Sequence, residues 1–378
     1  MDYFCIPEVY NQPVIGVVTT RKTHKGYPLP LGKESHIYQE MILNARKRGL
    51  FIYYFYPDGV HWDTKRIQGH MWMNGSWIRK EFVFPDIVYN RIVHRDYERR
   101  KTVVECLGGF EKCPDVNLFN SRFLEKWEVY EALKDHPEAA KVLPATALFS
   151  RDSLTDFAHS FEEFFIKPRR SSVGKGIIKV ISTAGGHFYY AFSSRQTPSW
   201  KRVNRIDSLY ARILKSAGMS EEGIIIQEGI RLAQYKKRIF DLRTLVQKDH
   251  EGKWAYMGSG IRVAGVRRFV THIPNGGMRA ETGNVISHVF DQSLSLENVE
   301  QSLREMVSWL PDELEKRTGL SLGVLSMDIG IDQEGQIKLI EVNSKPAKFD
   351  ETDIRARHLS TLNDYFEFVY QNANLKKG

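Results

Sequence analysis

The sequence predicts a small α/β domain over residues 1–115, followed by an α+β region built on a mainly antiparallel sheet. Three observations predict it. Residues 13–55 read strand, amphipathic helix, strand, which is a β-α-β unit. Residues 163–181 read as two apolar strands joined by a loop rich in Ser and Gly. Met327-Asp328-Ile329-Gly330 and Ile340-Glu341-Val342-Asn343 read as two more apolar strands, each presenting a carboxylate, across a turn at 332–335.

The first strand is Pro13-Val14-Ile15-Gly16-Val17-Val18, apolar and rich in β-branched residues. A polar loop containing Gly and Pro runs on to Gly32. Between Ser35 and Arg48, Ile37, Met41, Ile42 and Ala45 recur at helical spacing, and Gly49 stops the helix. Residues 50–55 form the second strand. Trp72-Met73 and Trp77-Ile78 flank Asn74-Gly75, the signal of a two-residue hairpin turn. Residues 85–91 read as a strand with a polar tip. A helix is expected over 120–135, starting near Asn120-Ser121, then an extended segment over 142–149 and a short capped helix over 153–160. The strand at 163–168 must end at Pro168, and 177–181 resumes one. Residues 203–214 read as a helix, and 224–228, 238–246 and 254–263 as strands. Residues 296–318 read as one long helix broken or offset near Pro311, and 354–372 as a terminal helix or pair of helices.

The chain has 378 residues, 42% hydrophobic and 26% charged, which places it among ordinary soluble globular proteins. No apolar run approaches the ~20 residues of a membrane span. Met1-Asp2-Tyr3-Phe4-Cys5 has no basic start and no long apolar stretch, so no signal peptide is read. Cys5, Cys106 and Cys113 have neither metal-like nor redox-like spacing and are odd in number. They fit a reducing, cytoplasmic compartment better than a disulfide framework. The net charge of +8 admits nucleic acid as a partner. The Lys and Arg residues are spread without a long run, however, and an anionic small substrate such as a nucleotide accounts for them at least as well.

Glu341 and Asn343 lie two apart and share one strand face; Asp328 can join them from the neighbouring strand. Hard oxygen ligands grouped this way suit Mg²⁺ held against substrate phosphates, the alternative being a hairpin with ordinary polar positions. The loop with Ser171, Ser172, Gly174 and Gly176 can lay backbone N–H groups against phosphates, with Lys167 at its entry and Lys175 within it. It is not a P-loop, because the Gly-x-x-x-x-Gly-Lys-Ser pattern is absent and a strand follows. The alternative is a flexible basic turn. Asp241 and Arg243 share a strand face and read either as a structural ion pair or as a functional Arg243, the reading favoured here. His94, His272 and His288 have no ligand spacing and read as ordinary.

The order of these parts carries more than any one of them. A lysine ends a strand, a glycine-rich loop follows, and about fifty residues later an apolar strand ends in Gln227-Glu228. Phe240-Asp241-Leu242-Arg243 and the carboxylate strands come after. This succession resembles the ATP-grasp superfamily over residues 115–350. Within the superfamily the chain resembles the YheC/YheD group of endospore coat-associated proteins. The resemblance is carried by Val88-Tyr89-Asn90-Arg91-Ile92, Phe165-Ile166-Lys167-Pro168 with its Ser-Ser-x-Gly-Lys-Gly loop, Phe240-Asp241-Leu242-Arg243 and Glu341-Val342-Asn343-Ser344-Lys345-Pro346. Many superfamily members have a glycine soon after the asparagine, where Ser344-Lys345-Pro346 stands here.

The resemblance implies an ATP-grasp fold, with two α+β subdomains (116–225 and 226–378) clamping ATP behind the 1–115 domain. It implies phosphate contacts from Lys126 and Lys167 and a lid of Ser171, Ser172, Gly174 and Gly176. It implies adenine and ribose contacts at Gln227, Glu228 and Ile230, with Arg243 at the γ-phosphate or acyl phosphate. Asp328, Glu341 and Asn343 would hold Mg²⁺, and Asn275, before Gly276-Gly277, would fix substrate or loop geometry. Lys126 read alone is equally a solvated helix residue. The implied activity is ligation of a small-molecule or peptide carboxylate to an amine through an acyl phosphate, with Arg243 and Lys167 acting on the transferred group. Arg91, Arg169 and Arg170 suit an anionic acceptor. The alternatives are a catalytically degenerate coat-associated binding protein and a small-molecule kinase. Homodimer formation and spore-coat association are implied by the likeness alone.

Overall fold

Val14–Val18 is buried on both faces, as an unbroken apolar strand in the middle of a parallel sheet must be. The computed structural model describes residues 12–20, 32–171, 174–194, 196–217, 220–291 and 293–375. Cys5 and the loop that precedes Gly32 lie outside them. The first sheet contains β1 (Val14–Val18), β2 (Phe51–His61), β3 (Arg66–Met73), β4 (Ser76–Val83), β5 (Ile87–Asn90) and β6 (Asn117–Phe119), in the order β4-β3-β2-β1-β5-β6. β2, β1, β5 and β6 run parallel; β3 and β4 add an antiparallel edge. The Asn74-Gly75 turn between β3 and β4 has positive φ at both residues, as its sequence requires. Helix α1 (Ser35–Arg46) links β1 to β2 and buries Ile37, Tyr38, Met41, Ile42 and Ala45. Helices α2 (Arg95–Glu98) and α3 (Lys101–Glu111) link β5 to β6.

Helices α4 (Lys126–Leu133) and α5 (Ala139–Val142) lead into the second sheet. The helix expected from Asn120 starts six residues later, and the extended segment shrinks to β7 (Thr146–Leu148), because Val142 belongs to α5. The second sheet adds β8 (Glu163–Pro168), β9 (Ile178–Ser182), β10 (Phe188–Phe192), β11 (Lys201–Val203) and β12 (Ile224–Glu228), in the antiparallel order β11-β10-β9-β8-β12-β7. Helices α6 (Arg151–Ser160) and α7 (Ile206–Ala217) cover one face, with Leu154, Phe157, Leu209 and Ile213 packed on Phe164, Ile166, Val180 and Ile226. Ser150 caps α6, its side chain accepting from the Ser153 N–H.

The third sheet holds β13 (Gln234–Tyr235), β14 (Arg238–Lys248), β15 (Trp254–Val263), β16 (Met278–Ala280), β17 (Val324–Ile331) and β18 (Ile337–Asn343), ordered β16-β15-β14-β17-β18 with β13 on β14. Helices α8 (Thr282–Phe290), α9 (Leu296–Val307) and α10 (Leu310–Thr318) cover one face. The expected long helix is thus two. Pro311 lacks an N–H, and it sits in the first turn of α10, where no intrahelical donor is needed. The tail is a single helix, α11 (Thr352–Leu375), whose Ile354, Leu359, Leu362 and Phe366 join the first and third sheets in one core.

Polar staples fix this union. Asn120, fully buried with φ +54°, follows β6. Its Oδ1 accepts from the N–H groups of Gly323 (2.9 Å) and Val324 (3.2 Å), and its Nδ2 donates to the carbonyls of Val324 (2.6 Å) and Ser344. Where many superfamily members have glycine, Ser344 Oγ donates to the Arg122 carbonyl (2.8 Å) and accepts from the Leu124 N–H (3.2 Å). Lys345 pairs with Glu98 and lies 4.6 Å from the Phe123 ring centre. Replacing Asn120 with Ala strands several buried backbone groups at once. Asn120→Ala is expected to lower unfolding free energy by about 3 kcal/mol in urea denaturation; a loss below about 1 kcal/mol contradicts this role.

Candidate active site

Strand parity makes the site. On β8, Phe164 and Ile166 face the helices, so Glu163, Phe165 and Lys167 face the opposite side. On β12, Ile224 and Ile226 face the helices and Gln227 faces away. The third sheet does the same. Phe240, Leu242, Met327 and Ile329 pack under its helices, and Asp241 and Asp328 point out. Asp328 and Glu341 are direct register partners, so both carboxylates leave the same face. The two faces enclose a cavity of about 840 Å³ when the space open to solvent is counted. Ile230, Leu232, the segment 269–272 and Lys126 close its sides.

Its charges compensate in pairs. Arg262 Nε donates to Asp241 Oδ1 at 2.9 Å and Nη2 to Oδ2 at 2.6 Å; the same Nη2 lies 3.0 Å from Asp328 Oδ2. Thr271 Oγ1 donates to Asp241 Oδ2 at 2.6 Å. Burial works against the Asp328 charge, but Arg262 and Arg243 hold its carboxyl below the usual carboxylate range. Lys126 Nζ stands 3.2 Å from Glu341 Oε1 and donates to the Ser171 carbonyl at 3.1 Å. Lys167 donates to Gln227 Oε1, whose Nε2 donates to Thr146 Oγ1 at 3.0 Å. Burial, reinforced by the Lys126 charge, lowers Lys167 to about 8. Glu228 Oε2 accepts from the Ala145 N–H at 3.0 Å.

Lys126, Lys167, Gln227, Glu228, Ile230, Asp328 and Glu341 all line the cavity. Ser171 adjoins it through Lys126. Gly174 and Gly176 have φ of +67° and +74°, which only glycine adopts freely. A Cβ on Gly174 would come within 3.1 Å of Asn275 Nδ2 and 3.2 Å of His272 Nδ1, so this loop rests on the 272–275 turn. Ser172 lies outside the described residues. Asn343 sits at the end of β18, opposite Ser326 and outside the lining. Arg243 is also outside it. It does not pair with Asp241, which Arg262 has claimed; its Nη2 donates to the Ala347 carbonyl at 3.3 Å and its guanidinium lies 5.0 Å from the Phe349 ring centre.

Arg262, Thr271, His272 and Lys179 belong to the site surroundings without having been singled out as site residues in the sequence. His272, read there as ordinary, lines the cavity with its Nδ1 buried and unpartnered among the described residues. Among those residues no three His, Cys, Asp or Glu side chains converge on one point. A self-contained metal cage is therefore not present among them. Two carboxylates beside cationic side chains instead suit Mg²⁺, which is commonly held by one or two carboxylates together with substrate phosphates.

Comparison with known proteins agrees with this architecture. Residues 115–369 match the family described as YheC/D like ATP-grasp. The chain is 24% identical over 368 residues to the endospore coat-associated protein YheD of Bacillus subtilis (strain 168), covering 96% of this chain and 79% of that protein. Its fold is similar to that of D-cycloserine synthetase DcsG (TM-score 0.53, 11% identity, covering 93% of this chain and 99% of that one). It is similar too to the ATP-grasp ligase PsnB, solved with a minimal precursor (TM-score 0.52, 14% identity, covering 95% and 99%). No helix among the described residues is long and apolar enough to cross a membrane. The fold is the ATP-grasp fold, which implies ATP binding, and the chain belongs to the YheC/D-like ATP-grasp family.

Proposed function

We propose that the chain is an ATP-dependent carboxylate–amine ligase with its nucleotide in the cavity between the second and third sheets. The observation that carries this reading is the opposition of Lys126 and Lys167 to Asp328 and Glu341 around a space of about 840 Å³. Gln227, Glu228 and Ile230 take the nucleoside end. Lys126 and Lys167 take the phosphates, beneath the loop of Ser171, Ser172, Gly174 and Gly176. Asp328 and Glu341, with Asn343 at the strand end, would hold Mg²⁺, which when bound neutralises phosphate oxygens. The second and third sheets form the two halves of the clamp, the division expected at 225/226 falling after β12, which ends at Glu228, and 1–115 borders the acceptor. The endospore-coat association in YheD's name is carried to this chain as part of the same proposal.

The chemistry needs no protein nucleophile. The γ-phosphoryl group passes from ATP to a carboxylate oxygen of the acceptor, the β,γ-bridge breaks, and ADP leaves. The amine then attacks the acyl carbon, phosphate departs with the broken acyl C–O bond, and the amine proton is lost to solvent. Lys167 and Arg243 hold the charge that develops on the transferred group. The lid over the cavity keeps water from the acyl phosphate.

Asp328→Ala and Glu341→Ala are each expected to cut phosphate release from ATP, in the presence of a carboxylate and an amine, at least ~100-fold. Undiminished ATP consumption in both variants removes them from the site. Release that requires the amine marks a ligase, whereas amine-independent accumulation of a phosphorylated acceptor marks a kinase. A second expectation concerns pH. Lys167, lowered to about 8 by burial and by Lys126, loses its charge as pH rises through that value, and phosphate binding favours the charged form. The Kd for MgATP should therefore weaken roughly fivefold between pH 8 and pH 9. Lys167→Arg should flatten that limb, and a flat wild-type profile contradicts the assignment.

A further inference from the structure

A second, smaller hollow lies between α1, the end of β5, the segment 346–349 and α11. It encloses about 410 Å³ including its mouth. Its floor is apolar, with Ile37, Met41 and Leu245. Its charged lining consists of Arg91, Lys348 and Arg355, and no carboxylate lines it among the described residues. The carboxylates around it are Glu34 near Arg91, Glu40 at 3.3 Å from Arg355 and Asp350 at 3.7 Å from Lys348. Arg91 is the informative member. It is 6% exposed, its Nη1 donates to the Tyr89 hydroxyl at 3.3 Å, and its Nε has no hydrogen-bond partner among the described residues. A buried guanidinium with unused donors beside a hollow is unfavourable until an acceptor completes it. His358, in the same wall, adds no charge of its own, since burial and then the Arg91 charge lower it to about 3.

The position of the hollow in the fold points the same way. Arg91 follows β5, and β1 has β2 on one side and β5 on the other, all parallel. Ligands of open parallel sheets collect at the C-terminal ends of the strands where the order reverses in this way. The hollow is also tied to the nucleotide cavity by a single strand. Asp241, Arg243 and Leu245 alternate along one face of β14. Asp241 lines the cavity, Leu245 lines the hollow, and Arg243 lies between them, about 6.6 Å along the strand from each. Arg243 is the register partner of Asp328 on one side and contacts Ala347 and Phe349, both in the wall of the hollow, on the other.

We propose that this hollow binds a second anionic group of the acceptor, a carboxylate held by Arg91 and Lys348, while the carboxylate to be activated lies beside Arg243. The acceptor is then a dicarboxylate, long enough to reach from one arginine to the other. This identification of the ligand as the acceptor rests on the ligase reading.

The test is calorimetric titration of the full chain, with and without Mg-ADP, using succinate, glutarate, adipate and pimelate against butyrate, pentanoate, hexanoate and heptanoate. At least one dicarboxylate should bind about tenfold or more tightly than its monocarboxylate partner. Arg91→Met should abolish that preference and Arg91→Lys should keep part of it. Lys348→Met, at a more open position, should weaken it several-fold and covers the case in which Arg91→Met does not fold. Equal binding of the two classes, or a preference that survives in both Met variants, overturns the proposal. A dicarboxylate preference in a protein that gives no heat with Mg-ADP keeps the hollow and removes the ligase reading. Phosphate release from ATP with monocarboxylates as readily as with dicarboxylates does the reverse.

Discussion

Asp328 carries a charge in a buried position, and the architecture around the cavity depends on the cations that make this tolerable. Arg262, from β15, reaches across β14 to hold Asp241 with two hydrogen bonds and Asp328 with the same guanidinium. One side chain thus ties three adjacent strands of the third sheet. Taking Arg262 away would leave the buried Asp241 without its ion-pair partner, a loss of several kcal/mol. On its other side β17 pairs with β18, which sets Asp328 directly opposite Glu341, and Lys126 reaches Glu341 from α4. These cations hold the two carboxylates in place. Under the proposed function an incoming phosphate chain would offer Lys126 a competing partner.

The same logic explains why the cavity exists. The second and third sheets each bury one face under helices, and the charged residues of the site stand on the other face. Charged side chains on the two uncovered faces cannot pack together directly, because they would lose solvation without enough partners. The faces enclose a space lined by both charged and apolar side chains instead. The first sheet is held to the third by α11, by the buried Asn120 and by the Lys345–Glu98 pair, so the end of β5 is brought beside the strand that carries Arg243.

The sequence made the local parts readable and left the long-range ones out. The β-α-β opening, the Asn74-Gly75 hairpin and the carboxylate hairpin are written in contiguous patterns of period, turn residue and alternation. The lysine at the end of β8 announced itself as a charge closing an apolar strand. The Arg262–Asp241 clamp did not, because its partners are twenty-one residues apart and meet only through the β14–β15 register. In sequence Asp241 pairs most simply with its near neighbour Arg243, but residues two apart on a strand stand about 6.6 Å from each other and a cross-strand partner is closer. The place of His272 beside the cavity comes from the 269–272 segment and leaves no trace in residue spacing. Asn120 looked like a helix start, and only the tertiary structure reveals why a buried asparagine stands there.

The most direct test of the central claim, that these compensated charges form a magnesium-dependent nucleotide site, is the melting temperature of the full chain with ATP in the presence of Mg²⁺ and again with EDTA. The account predicts a clear upward shift with MgATP that largely disappears when the metal is chelated. An equal shift under both conditions would contradict the role given to Asp328 and Glu341, and no shift with any nucleotide would contradict the site itself.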